Sequence, residues 1–526
     1  YAAGAPLAIT SESENAWRVN TRDGEATIHY RIQLPYEDPT NRASWRSALR
    51  SDGGSVNATD TFMYLRDFTR APIEELTLDV PDSWRIATAL TRSTTGTYSA
   101  PTTTSFLDSP ILLGDLRTWS FSVNGISHHI AYWPLPNATP FDTAQFVGSV
   151  ERFARESFGV FRKAPYREYT FLFQDGAWGG LEHASSVTIG TPSTALASDP
   201  RALMDEIAHE FFHTWNLMAL NPRGVSSVSA DPPAHTRELW WSEGVTVYYA
   251  ETLMRRAGFP ERGRARDQEL ADWLSIYRGS FGNTVISPEQ GSWASVDPPD
   301  PTNDYLSNYY VQGRLIAYAL DLMIRDSTGG RRSLDDVMRA MYDRFAKKSA
   351  FSGHDIENTV ASVCGCNVHG FFEDHVRKAG PIDFNQYLRS AGLRVVYDTI
   401  PSADSAGVRF PDLRISVYTP SQGGRMRVRI MDPRTVWRNA GLHTGMELVA
   451  LNGIRVDSFP DFRRAIRSVK LGTVVPVDVI AGGSPRRVNV SVSGFDRVKA
   501  RILDAPNVTP ARLERRRIWM EGTPSA

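Results

Sequence analysis

Two histidines four residues apart, with a glutamate directly after the first, are the residues in this sequence most able to do chemistry: His209-Glu210-Phe211-Phe212-His213. On a helix, side chains at i and i+4 project from one face on successive turns, so both imidazoles reach a single metal ion. Glu210 then flanks that ion and is placed to take a proton from a water. Zinc fits such donors, needs a third protein ligand, and keeps a fourth position open for water. Taken alone, the spacing also fits an amphipathic helix with solvated or paired histidines. The neighbours favour a metal. Ile207, Ala208, Phe211, Phe212, Trp215, Leu217 and Met218 make the helix otherwise apolar, and unpaired ionisable groups in such a wall are costly.

The third ligand is sought downstream. Thr214-Trp215-Asn216-Leu217 holds neither the glycine nor the third histidine that a site completed by a histidine soon after His213 requires, so that arrangement fails. Glu243 opens the apolar stretch Gly244-Val245-Thr246-Val247-Tyr248-Tyr249 and is a candidate for the third ligand. An acid at a helix N-terminus is also favoured by the helix dipole alone.

The elements that must position these groups follow from periodicity. Residues 17–133 read as short alternating runs (26–34, 75–80, 119–123) between turn residues, hence an antiparallel β-sandwich or saddle. Residues 134–140 form a proline-containing link. Helical spacing over 146–161 and a strand at 169–173 lead to a helix over 199–220. There Asp199 caps the first turn, Pro200 takes the first helical position, and Asn221-Pro222 ends it. A polar loop, 223–236, precedes a second helix over 237–257. Further helical patterns cover 308–325, 334–345 and 371–378. Past residue 393, strands at 413–418, 425–430, 447–451 and 474–480 with a helix over 459–469 make a small α/β module of roughly 100 residues. The tail is basic, with Arg515-Arg516-Arg517, and reads as poorly ordered. The fold class is multidomain α+β, divided as a β-rich domain (1–140), a metal domain (141–275), an α-helical domain (276–394), the α/β module (395–500) and the tail (501–526).

His-Glu-Phe-Phe-His-Thr-Trp-Asn (209–216), Trp-Trp-Ser-Glu-Gly-Val-Thr-Val-Tyr-Tyr (240–249) and Gly-Gly-Leu-Glu-His (179–183) resemble the glycyl aminopeptidase family of gluzincin zinc metallopeptidases, relatives of aminopeptidase N. The resemblance covers nearly the whole chain. It implies a thermolysin-like catalytic domain with one zinc on His209, His213 and Glu243, and Glu210 as general base for a zinc-activated water. Glu243 follows His213 after 29 residues (214 to 242), longer than is usual in aminopeptidase N, and the 223–236 loop accounts for the excess. Gly179 and Gly180 match the exopeptidase box, where backbone lies close to a bound peptide. Glu182 would accept from the substrate ammonium. His183 stands where aminopeptidase N carries asparagine. A glycine turn followed by an acid is also a common structural feature. Tyr310, in Asn308-Tyr309-Tyr310-Val311-Gln312-Gly313, matches the tyrosine that donates to the developing oxyanion, with Gln312 in place of the usual lysine; Tyr305 is a second candidate. The stretch 439–453 resembles bacterial PDZ domains, which take an extended peptide or a protein C-terminus as an added strand.

The implied activity is removal of N-terminal residues, glycine and also alanine, from peptides with a free N-terminus. Two rivals stand beside it: a zinc endopeptidase of the same fold, in which Glu182 is structural, and a non-catalytic protein whose PDZ module binds peptides. Charge discriminates against other partners. Lys and Arg total 58 against 59 for Asp and Glu, a net charge of −1 over 526 residues, which gives no field for nucleic acid. No apolar run approaches the ~20 residues of a membrane span. A start at Tyr1-Ala-Ala-Gly-Ala-Pro reads as a chain whose leader has been removed, though a cloning boundary reads the same. The expected location is periplasmic or secreted in a bacterium, with the cytoplasm left open. Cys364 and Cys366 would close a tight ring if oxidised, but read as structural or incidental thiols.

Overall fold

In the computed structural model of the protein the described residues are 6–522 without 22–23, 35–37, 39–40, 69, 200, 226–234, 260–265, 296–307 and 421–423. Tyr305, Pro200 and most of the 223–236 loop therefore lie outside the described residues. No described helix is long and apolar enough to cross a membrane.

The N-terminal part is a sheet domain. Ala48–Arg50, Gly53–Val56, Ile111–Gly114 and Arg85–Thr88 pair antiparallel in that order, with a smaller three-stranded sheet beside them. Their shared core is Ala58, Leu90, Tyr98, Phe106, Leu107, Ile111 and Leu113. Two expected strands behave otherwise. Among the described residues, 26–34 carry no assigned strand and are exposed up to the half-buried Leu34; alternation describes a strand's faces but does not by itself supply the pairing that makes a ladder. Residues 119–123 form a strand, but in the sheet that carries the metal site.

That second sheet holds β1 (Arg117–Val123), β2 (Ile126–Trp133), β3 (Glu168–Gln174), β4 (Gly180–Glu182) and β5 (Ser186–Gly190), in the order β1-β2-β3-β5-β4. β2, β3 and β5 run parallel, while β1 and the edge strand β4 run antiparallel to their neighbours. The crossover from β2 to β3 is α1 (Thr143–Phe161). Asp142 caps it by accepting from the Gln145 N–H, and Phe146, Val150, Phe153, Ala154 and Phe161 bury its inner face. β3 reads as one apolar run because both of its faces are covered.

The helices of the body include α2 (Arg201–His213), α3 (Thr246–Arg256), which continues from a π-type turn over Trp240–Val245, α4 (Tyr309–Ser327) and, near the C-terminus, α5 (Pro510–Glu521), with Arg266–Gly279, Leu334–Phe345 and Gly353–Cys364 packed among them. One continuous core runs from Val123 through Tyr248, Leu315, Phe372 and Leu393 to Trp519. The expectation of a poorly ordered tail is corrected here. Trp519 on α5 is fully buried, and the Arg266 guanidinium lies 5.0, 5.1 and 5.4 Å from the rings of Tyr248, Tyr318 and Trp519. Arg515, Arg516 and Arg517 pair with Asp326, Asp504 and Glu514. The basic run is consumed at the surface of the helix that its tryptophan anchors.

The second module is entered and left through one antiparallel ladder, Leu393–Pro401 with Asp496–Asp504. Between them Ile415–Tyr418, Arg427–Ile430, Glu447–Leu451, Val474–Ala481 and Ser484–Ser491 form a sheet in chain order, with helix Phe459–Arg467 against it. It has its own core around Val428, Trp437, Leu448, Phe462 and Val477. Cys364 and Cys366 are disulfide-bonded across Gly365, with Cα atoms 5.2 Å apart, so the free-thiol reading is corrected. The left-handed turn at Gly365, φ 63°, ends the preceding helix and brings the two sulfurs together.

Candidate active site

α2 is driven against the sheet by Ile207, Ala208, Phe211 and Phe212, all at most 1% exposed. That seating fixes the direction of the opposite residues. His209 Nε2 and His213 Nε2 lie 3.0 Å apart, and Glu243 Oε2 is 3.4 Å from the first and 3.2 Å from the second. Zinc bonds of about 2.0–2.2 Å in a tetrahedron separate donor atoms by about 3.3–3.6 Å. The three edges fall close to that size, and two imidazole nitrogens with a carboxylate oxygen are zinc donors, so these residues fit the ion. Among the described residues this is also the one cluster of His, Cys, Asp and Glu able to hold a metal.

The electrostatics point the same way. Burial pulls the His213 imidazole down, but Glu243 outweighs it and pushes the group up to about 10. Burial pushes Glu243 up, yet the two imidazoles hold it well below the usual carboxylate range. Both shifts describe one demand, for positive charge among a carboxylate and two imidazoles that are wholly or largely withdrawn from water. A proton meets it partly; a divalent cation meets it better.

Glu210 is buried against β4. A Cβ on Gly180 would stand 2.6 Å from Glu210 Cδ and 2.9 Å from Oε1, so only glycine leaves room for that carboxyl. Burial first, and then the nearby charge of Glu182, push the Glu210 carboxyl well above its ordinary range, with His213 opposing. A divalent cation on the ligands would favour its ionised form. Strand alternation puts Glu182 on the same face of β4 as Gly180, toward Glu210. His183 then takes the other face, toward the N-terminal domain: its Nδ1 is 3.1 Å from Asp108 Oδ1, and the Ala184 N–H donates to Asp108 Oδ2 at 2.9 Å. Asp108 ties the box to the N-terminal domain, and no sequence signal marked it.

Tyr310, on the first turn of α4, is 38% exposed, with its ring 6.3 Å from that of His209. Partial burial and then the Glu243 charge push its phenol well up, so the hydroxyl stays protonated and available as a donor. Tyr309 stacks on it at 4.9 Å, and burial pushes that phenol up to about 12. Consecutive tyrosines look alike in a sequence; only their contacts separate them. The approach of α4 to the Glu243 turn is set by glycines, since a Cβ on Gly244 would lie 2.5 Å from Gly313 Cα. Beneath that crossing, buried Arg314 pairs with buried Glu251 at 2.9 Å, joining α4 to α3. Neither the crossing nor the pair was anticipated from sequence.

Comparison with known proteins extends the picture. A family model described as M61 glycyl aminopeptidase matches residues 202–316, and one described as the peptidase M61 N-terminal domain matches residues 1–115. An aminopeptidase N family protein from Idiomarina loihiensis shares the fold: TM-score 0.72 at 20% identity, over 97% of this chain and 89% of that one. A mutant M1 zinc metallopeptidase from Deinococcus radiodurans, bound to a Tyr-Ser-Ala substrate, aligns at TM-score 0.40 and 17% identity, over 57% of this chain and 63% of that one. No curated protein matches. With M61 peptidase domains matched over both segments, and a ligand triangle of zinc dimensions inside the second, the chain is a zinc metallopeptidase.

Proposed function

We propose that the chain is an aminopeptidase that removes N-terminal residues, glycine and also alanine, from peptides, with one zinc per chain. The observation that carries this is that Glu182 lies close enough to Glu210 for its charge to push that carboxyl up. An amine anchor and a proton acceptor then stand near one another, and the absence of a side chain at Gly180 leaves room for the Glu210 carboxyl. β4 is an edge strand, so its outer N–H and C=O groups can align an extended peptide. Glu182 holds the substrate ammonium and so fixes the first peptide bond at the ligand triangle.

His209, His213 and Glu243 hold the zinc, which when bound supplies Lewis acidity toward the scissile carbonyl and an open coordination position. Glu210 takes a proton from the attacking water, whose oxygen bonds to the carbonyl carbon. The C–N bond then breaks, and Glu210 returns the proton to the leaving nitrogen. Tyr310 donates to the oxyanion, a contribution of about 3–4 kcal/mol for one such donor. The finer fold reading belongs with this function: a thermolysin-like metal domain and, over residues 395–500, a PDZ domain. The free edge at Ile415–Tyr418 supports the latter, as the place for a peptide or protein C-terminus. The Cys364–Cys366 disulfide supports an oxidising compartment, hence a periplasmic or secreted enzyme.

The test is zinc content measured beside hydrolysis of paired peptides, one with a free glycine or alanine N-terminus and one acetylated. Rapid cleavage of the free member only is expected. Equal cleavage of both would make the chain an endopeptidase and leave Glu182 structural.

A further inference from the structure

We propose that Asn216 is a positioning residue for the metal-ligand set, orienting His213 through its main-chain carbonyl and Glu243 through its side-chain amide. The inference rests on the zinc reading of the site. Three residues past His213 the helix breaks: Asn216 has φ −96° and ψ 57°, and Leu217 has φ 170° and ψ −54°. The break turns the Asn216 carbonyl oxygen back to 3.3 Å from His213 Nδ1. When Nδ1 carries the proton and donates it there, Nε2 presents its lone pair to the other ligands.

The side chain points at the second ligand-bearing element. Asn216 Nδ2 donates to the carbonyl oxygens of Trp241 and Ser242, at 3.2 and 3.3 Å, and to Thr246 Oγ1 at 3.0 Å. Thr246 in turn donates to the Ser242 carbonyl at 2.6 Å. Two of the three neighbours are carbonyls, so the amide orientation is fixed and the NH2 must face them. Trp241 and Ser242 immediately precede Glu243 in the π-type turn, and the amide and Thr246 together hold that turn in place.

Packing alone does not account for Asn216. The residue is fully buried, and its Oδ1 has no partner. Trp215 and Leu220 fill the same region with apolar side chains. A buried amide with one orphaned end is kept for the bonds its other end makes. One residue therefore sets the relative placement of two metal ligands that lie on different elements.

The experiment compares the full chain with Asn216→Ala, Asn216→Asp and Thr246→Val. The readouts are zinc affinity by chelator competition, the visible spectrum of the cobalt-loaded protein, and unfolding of the metal-free protein. Asn216→Ala is expected to weaken zinc binding by about 10–100-fold and to alter the cobalt spectrum, with cooperative metal-free unfolding retained. Asn216→Asp, which has no N–H to donate, shows the same loss. Should the Asn216 variants not fold, Thr246→Val must weaken zinc binding in the same direction. Unchanged affinity and spectrum in a folded Asn216→Ala, or in Thr246→Val where only that variant folds, overturns the proposal. Failure of the unsubstituted chain to take up zinc or cobalt overturns the metal reading, and this inference with it.

Discussion

Glu210 sits between two pressures that a single substitution separates. Burial and the Glu182 charge favour its protonated form, while His213 and a bound cation favour the carboxylate. Glu210→Gln keeps the shape and removes the proton acceptor without touching His209, His213 or Glu243. Zinc content should be unchanged while kcat falls by about 10²–10⁴-fold; turnover within tenfold of the original would remove Glu210 as the base. His209 and His213 could be grouped from the sequence because a helix repeats its face about every fourth residue. Glu243, on a separate element, was picked out only as an acid opening a second apolar stretch. Asp108 and Asn216 were not legible there. Each acts on a residue brought to it by folding, and neither carries a local pattern that announces the partner.

Strands and helices transmit constraints that single residues do not show. On β2, His128 is 1% exposed, with Nε2 3.0 Å from the Tyr166 hydroxyl, and burial lowers its pKa from 6.5 to about 4. The folded protein keeps this imidazole neutral, while the unfolded chain protonates it below about pH 6.5. The unfolded state then binds more protons, so stability falls as pH drops from 6.5 toward 4, by up to about 3 kcal/mol. His128→Phe should flatten that window in urea-midpoint measurements, and an unchanged slope would assign the acid sensitivity elsewhere. Gly313 is the corresponding constraint on α4. A Cβ there meets the Trp240 carbonyl and the Gly244 backbone, so Gly313→Ala must separate α4 from the Glu243 turn. A loss of about 1–3 kcal/mol in stability is expected, with kcat falling through Tyr310 while zinc is retained; a fully active, equally stable variant would show that the crossing yields freely. The alternation at residues 26–34 reports only which way side chains point, and among the described residues no strand is assigned there.

Across the whole molecule the chain end matters more than its composition suggested. Three consecutive arginines dominate the look of the tail, but Trp519 decides its structure by entering the core beside Arg266, Tyr248 and Tyr318. Trp519→Ala should cost about 3–5 kcal/mol in chemical unfolding. A negligible change would mean that α5 is held by its ion pairs alone. One buried aromatic residue outweighs a charged run in energy, though not in sequence statistics. The ladder formed by Leu393–Pro401 and Asp496–Asp504 has a different consequence. Pro401 and Asp496 are opposite rungs, so the entry and exit of the second module are adjacent in space. The module is therefore a detachable cassette: joining those two ends by a tight reverse turn would leave an ordinary hairpin, with the hydrolytic body closed beneath it.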